Sequence, residues 1–184
     1  MQMALELAEE NYHATNYEAA LRVIEKGEPK LPGQWLLIGK VHFQMGNYAK
    51  AIEALEAAVK QAPNKSVEWN WLGKAYGKQA ETGSKLAAFG RARKAREAFE
   101  KAVALDAVNL EAVDDLFEYY MEAPGIIGGG TDKAAKLAET VRAKAPAKYE
   151  MYQARLAGEN KDVASAERHW RRAAELSPGD VGAQ

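Results

Sequence analysis

Residues 35–63 read WLLIGKVHFQMGNYAKAIEALEAAVKQAP. Trp35, Ile38 and His42 recur at spacings of three and four, which places them on one face of a helix, and Gly39 shares that face. Ile52, Leu55 and Val59 repeat the pattern over residues 49–60, with Ala51 and Ala58 as small residues on the packing face. Between the two halves, Met45-Gly46-Asn47-Tyr48 supplies a glycine to end the first helix and an asparagine to cap the second. Pro63 stops the second helix and Asn64 opens the next turn. The stretch predicts two antiparallel helices. Gly39 is expected to face Ala51 so that the backbones approach closely, with Leu55 filling the space beside them.

The next stretch opens with Trp69, Leu72, Gly73 and Tyr76, each one repeat after Trp35, Ile38, Gly39 and His42, a period of about 34 residues. A helix pair with that period cannot bury both of its faces, so it requires stacked neighbours. The Trp-x-x-Leu-Gly-x-x-Tyr pattern, followed by Ala-x-x-x-Phe and then Pro, resembles the tetratricopeptide repeat. The resemblance covers nearly all of the chain. It implies an all-α, right-handed superhelical solenoid of about five antiparallel helix pairs, in which the first (A) helices line a concave groove.

At 184 residues the chain accommodates about five such repeats. They fall at about 4–32, 33–66, 67–110, 111–148 and 149–178, in one continuous array. Repeat one keeps Ala4, Leu7, Ala8, Tyr17, Ala20 and Ile24, but it lacks the tryptophan and has Gly27 where the second (B) helix usually has alanine. Its B helix is expected to end near Lys26. Repeat three carries an insertion within residues 78–93, with a turn at Thr82-Gly83-Ser84 and Ser84 as a cap. Its B helix is expected to be extended by two or three turns, with a kink or break at Gly90. Repeat four opens with Val113, Leu116, Phe117 and Tyr120, and a long loop over residues 123–132 precedes Ala134, Ala138 and Val141. Repeat five uses Tyr152, Leu156, Ala166, Trp170, Ala173 and Pro178, and its tail over residues 179–184 is expected to fray. Its B helix either caps itself through Arg168, Arg171 and Arg172 or serves self-association.

Hydrophobic residues make up 47% of the chain, much of it alanine, and the formal net charge is −1. That balance sets up no global field for a polyanion or a membrane surface. The absence of cysteine excludes disulfides, cysteine-type zinc sites and thiol catalysis. No apolar run is long enough to span a bilayer. Met1-Gln2-Met3-Ala4 lacks a signal pattern, and the compartment stays open: cytoplasmic, or periplasmic if a leader was removed.

Signals for chemistry are weak. The glycine-rich loop over residues 125–130 precedes a helix, a placement that can cradle phosphate. No P-loop Lys-Ser or Lys-Thr follows it, however, and Asp132 repels an anion. The loop is expected to be a surface excursion with Thr131 or Asp132 as N-cap. Its apolar pair, Ile126 and Ile127, either folds back or meets a partner. His13, His42 and His169 are scattered, and His42 takes the core position of Tyr76. The expectation is no enzyme, no metal site and no cofactor. Trp35, Trp69 and Trp170 occupy core positions, which leaves Trp71 as the unusual tryptophan.

The resemblance implies that a peptide or helix of a partner protein binds in the concave groove, with no nucleic acid and no membrane insertion. By register, the groove residues are Leu36, Lys40 and Phe43 in repeat two and Asn70, Lys74 and Lys78 in repeat three. Repeat four adds Asp114, Glu118, Met121 and Glu122. The groove wall thus changes sign along the chain. Its two charged rows either neutralise each other or receive a bipolar peptide anchored by Phe43, Trp71 and Met121. The Lys–Asn clamp of some relatives is not supported, because Leu36 and Trp71 stand at two of its positions. Five basic residues and no acidic one lie between Thr82 and Arg96. Lys85, Arg91, Arg93 and Lys94, with Ile126 and Ile127, are secondary contact candidates. The alternative function is a self-assembling array that stacks through its terminal helices.

Overall fold

Ten α-helices alternate with short turns among the described residues, which are 2–26 and 31–177 of the computed structural model. They are α1 (Gln2–His13), α2 (Tyr17–Ile24), α3 (Pro32–Gln44), α4 (Tyr48–Gln61), α5 (Ser66–Thr82), α6 (Lys85–Leu105), α7 (Leu110–Glu122), α8 (Thr131–Val141), α9 (Pro146–Glu159) and α10 (Val163–Leu176). A single 3-10 turn, Gly125–Ile127, lies between α7 and α8. The architecture is all-α, a run of five helix pairs. The expectations placed on Gly27, on Pro178, on the 179–184 tail and on the Lys85 side chain lie outside the described residues.

The turn between α3 and α4 shows how the pairs close. Gly46 adopts φ 75°, a backbone region that costs glycine nothing. Its N–H donates to Phe43 O and the Asn47 N–H donates to His42 O, so the last carbonyls of α3 are satisfied. Asn47 occupies the N-cap of α4, but its side chain makes no capping bond. Ser84 is likewise the N-cap of α6 without a side-chain bond. Side-chain caps form at Asp162, which accepts from Ser165 N at 3.0 Å, at Asn109, which accepts from Ala112 N at 3.2 Å, and at Gln34, which accepts from Leu31 N at 2.8 Å.

The close approach of α3 and α4 centres on Gly39, although its opposite number is Leu55 rather than Ala51. A Cβ on Gly39 would lie 2.4 Å from Leu55 Cγ. One repeat on, a Cβ on Gly73 would lie 2.5 Å from the Phe99 ring. The knob is therefore a large side chain of the B helix seated directly on the glycine. Ala51 is buried beside it.

Helix α6 has 21 residues against 14 in α4, an extension of about two turns. It runs unbroken through Gly90, so the expected kink is absent. Gly90 is exposed and has open space around it, so no packing conflict forces the backbone apart.

The chain divides into two compact units, Met1–Ala112 and Val113–Gln184. In the first unit, one core cluster joins Ala8, Ala20, Ile24, Leu37, Ile38, Val41 and Ala54. Ser66, at the start of α5, donates to Ala102 O at 2.8 Å and accepts from Asn109 Nδ2, fastening α5 to the end of α6. In the second unit, Val113, Leu116, Phe117, Leu137, Ala138, Val141 and Tyr152 are buried. The Phe117 and Tyr152 rings stack at 4.1 Å.

Candidate interaction surfaces

In the first unit, the A helices α3 and α5 bring three of the residues selected by register, Lys40, Phe43 and Lys74, around Trp71. The Phe43 ring meets the Trp71 ring edge-on at 5.5 Å. Lys40 Nζ stands 5.1 Å from the Trp71 ring and Lys74 Nζ 4.9 Å from it. Both aromatic side chains remain partly exposed. Trp71 thus forms a surface platform, flanked by cations that its π-face attracts.

The two lysines differ. Lys74 forms a 2.5 Å ion pair with Glu111 at the start of α7. Burial holds Lys40 below the ordinary lysine range, against the pull of Glu111, Glu9 and Glu68, and the Lys74 charge adds to the lowering. Lys78 pairs at 2.7 Å with Glu81 on its own helix. Asn70 is buried at 1% exposure, so it supports the surface from beneath and presents nothing to a partner. Leu36 lines a small cleft with Glu9, Tyr12, His13 and Lys40.

In the second unit, the acidic row of α7 meets basic residues of α9. Asp114 accepts from Lys148 Nζ at 3.0 Å and from the Tyr152 hydroxyl at 2.5 Å. Burial raises the Tyr152 pKa, and the bond to Asp114 raises it further. Glu118 pairs with Arg155, whose guanidinium lies over the Phe117 ring. Met121 is half-buried and Glu122 exposed. Register alone did not select Glu111, Lys148 or Arg155. The available signal was spacing: Asp114 and Lys148 lie 34 residues apart, about one repeat length.

The B-helix side of the first unit carries two clefts at equivalent repeat positions. Trp35, Ile38 and His42 line one of about 480 Å³, with Glu25, Lys50 and Glu53. Trp69, Leu72 and Tyr76 line the other, of about 590 Å³, with Glu56, Lys94 and Lys101. His42 is buried as expected, its Nδ1 has no hydrogen-bond partner, and desolvation lowers its pKa, with the Lys50 charge adding to the effect. In the second cleft the Tyr76 hydroxyl bonds to Glu56, and Lys94 Nζ lies 3.3 Å from the Tyr76 oxygen.

The glycine loop is built more tightly than a surface excursion. Gly128 and Gly129 are buried, and Gly128 and Gly130 adopt φ 95° and 144°. A Cβ on Gly129 would lie 1.7 Å from Ala123 O. The N–H groups of Ile127, Gly128, Gly129 and Gly130 donate to Pro124, Gly125, Pro124 and Tyr120 carbonyls. They are committed within the turn and do not aim at an anion. The N-cap of α8 is Gly130 rather than Thr131 or Asp132. Ile126 is 83% exposed, whereas Ile127 is half-buried, and its carbonyl accepts from Tyr119. Among the described residues, no group of three or more His, Cys, Asp or Glu could hold a metal ion, and no helix is long and apolar enough to cross a membrane.

Residues 32–65 match the tetratricopeptide repeat family model. The helix pairs around them have the same architecture, and the chain as a whole has the fold of tetratricopeptide-repeat proteins. Among solved structures it is similar to TTC0263, a thermophilic tetratricopeptide-repeat protein of Thermus thermophilus, at 19% identity and TM-score 0.72. That match covers 98% of this chain and 93% of the other. MamA is similar at 20% identity and TM-score 0.69, over 92% and 93% of the two chains. Human IFIT1, solved as a dimer with m7Gppp-AAAA, is similar at 19% identity and TM-score 0.77, over 95% of this chain but 41% of its own. No curated protein matches the chain in sequence.

Proposed function

We propose that the chain is a protein-interaction scaffold that receives a segment of a partner protein on the A-helix surface of its first unit. One observation carries the reading: Phe43 and Trp71 form a partly exposed aromatic pair with Lys40 and Lys74 beside the indole. Aromatic side chains with an apolar body and charged neighbours are the usual anchors of protein interfaces. Lys40 has lost part of its hydration without gaining a paired carboxylate, so an acidic group from a partner restores what burial removed. Within the second unit, Asp114 and Glu118 are already paired with Lys148 and Arg155, which favours neutralisation of the acidic row over recognition of a basic segment. The m7Gppp-AAAA held by IFIT1 raises nucleic acid as a competing ligand. The chain carries a formal net charge of −1, so it sets up no field that would draw in a phosphate chain.

The test is capture of partners from the native host by the parent and by Trp71→Ala, followed by reconstitution with the purified partner. A partner that binds the parent and not the variant supports the reading, and equal binding by both overturns it. Self-association is the second reading, favoured by Met3 and Leu7, which are 81% and 48% exposed one turn apart on α1. On α10, Arg171 and Arg172 pair with Glu167 and Glu175 on the same helix, which supports a self-capped polar face there. Light scattering across a concentration series decides it: a mass that does not change with concentration removes the stacking reading.

A further inference from the structure

The insertion in repeat three produces a surface that the A-helix reading does not use. Helices α5 and α6 have 17 and 21 residues against 13 and 14 in α3 and α4, so this pair projects beyond its neighbour. The described side chains of the added turns bury little. Phe89 is 58% exposed, Gly90 faces open space, and Ala87 and Ala88 are only partly covered. An exposed glycine inside a helix weakens it, and an exposed phenylalanine contributes nothing to the core. Arg91, Arg93 and Lys94 follow directly, and none of them makes an ion pair among the described residues. From Arg91 onward, Arg96 is the first cation to find carboxylates, Glu97 and Glu100, among the described residues. Beside these residues lies a cleft of about 470 Å³ lined by Ile52, Glu56, Tyr76, Ala87, Gly90 and Lys94, among others. Glu56, Tyr76 and Lys94 also wall the larger cleft lined by Leu72, so the two clefts adjoin along these side chains as a two-part trough.

We infer that the projecting part of α6, with the trough beside it, is a second docking surface, and that its occupant is an acidic amphipathic segment of a partner protein. Charge complementarity identifies the occupant. Three cations without an ion pair lie within four residues, and no acidic residue stands between Thr82 and Arg96 to satisfy them. Carboxylates of the segment pair with Arg91 and Arg93, where the guanidinium fork suits a planar carboxylate. An apolar side chain lies on Phe89 and enters the notch left by Gly90. A nucleic acid fits less well: the segment turns its apolar side to the trough and keeps its carboxylates at the rim, whereas a phosphate chain in the trough would face Glu56 and Glu97. This surface lies on the B-helix side and does not depend on the Phe43–Trp71 pair.

The experiment uses the full chain, isotopically labelled, and a fluorescein-tagged helical peptide of repeated Glu-Leu-Ala-Glu units. Amide resonances and fluorescence anisotropy are followed at low salt. The expected result is shifts centred on Phe89, Gly90, Arg91 and Lys94, with affinity reduced about tenfold by R91E/R93E and lowered by F89A. Both variants change exposed or half-exposed positions, and circular dichroism checks that they fold. The lysine counterpart of the peptide is expected not to bind. Three outcomes overturn the inference. One is absence of binding at millimolar peptide. Another is shifts centred on Lys40, Trp71 and Lys74 with affinity unchanged in R91E/R93E, which would leave the A-helix reading standing. The third is equal or tighter binding of a single-stranded oligonucleotide of matched charge at the same residues.

Discussion

The Tyr152 hydroxyl donates a 2.5 Å hydrogen bond to the carboxylate of Asp114, which also accepts from Lys148. Two consecutive A helices are tied through one half-buried carboxylate. Removing the acceptor leaves a buried phenol without its partner, whereas removing Lys148 leaves Asp114 still bonded to the phenol. Asp114→Ala is therefore expected to destabilise by about 1–3 kcal/mol, and Lys148→Ala by about 1 kcal/mol or less. Urea denaturation of both variants checks this. Equal losses would mean that the surface ion pair, not the phenol bond, holds the helices.

Gly39→Leu is expected to destabilise by about 1–3 kcal/mol through overpacking, because even a Cβ meets Leu55 at 2.4 Å. Gly39→Ala makes the sharper test. Combined with Leu55→Ala, it should cost less than the sum of the two single changes, since the second removes the atoms with which the first collides. Thermal melts of the four chains give the coupling. Strict additivity would mean that the helices shift apart at no cost.

The period was legible because each buried position is fixed by its own helix: Trp35, Ile38 and His42 recur as a face whatever lies opposite. What lies opposite was not legible. Gly39 meets Leu55 rather than Ala51 because the crossing of two helices, not the sequence of either, selects the facing residue. The charged rows were visible on α5 and α7, but the partners of the α7 row sit on the next A helix, where Lys148 and Arg155 look like ordinary surface residues. Asn70 was placed in the groove by register, yet it is buried at 1% exposure.

Stability should fall as the pH drops below the ordinary histidine value of 6.5, in part through His42. Burial and Lys50 hold its folded pKa down, against the pull of Glu25 and Glu53. Between the folded and unfolded pKa values the unfolded chain binds the extra proton. Unfolding therefore becomes easier as pH falls through that window, and the loss levels off below the folded pKa. His42→Tyr, which copies Tyr76, should reduce the slope between about pH 7.5 and about pH 5. The same slope in parent and variant would assign the pH dependence to other groups.

The glycine loop should respond to single methyl groups. Gly129→Ala is expected to lower the melting temperature, because its Cβ would overlap Ala123 O. A shorter turn in place of Gly128-Gly129-Gly130 should also destabilise, since Gly130 N–H bonds to Tyr120 O and Lys133 Nζ to Gly128 O. Phosphate or nucleotide should leave the parent's melting temperature unchanged, because the loop N–H groups are already used. A rise specific to those ligands would mean that the turn opens to bind them.

The charges around Trp71 should separate binding from stability. Lys40 and Lys74 flank the indole, while Lys78 lies one turn further along α5 and pairs with Glu81. Reversal of Lys40 would set a carboxylate among Glu9, Glu68 and Glu111, so neutral substitutions that keep the aliphatic stems are the cleaner change. Lys40→Gln and Lys74→Gln together are expected to weaken partner binding and flatten its salt dependence, with cooperative unfolding retained. Lys78→Gln, outside the aromatic pair, should change binding little. Titration of a captured partner at two salt concentrations measures all three. A loss in Lys78→Gln as large as in the double variant would extend the recognition surface along α5. Full binding by the double variant would remove the lysines from recognition and leave the aromatic pair, tested by Trp71→Ala, to stand alone.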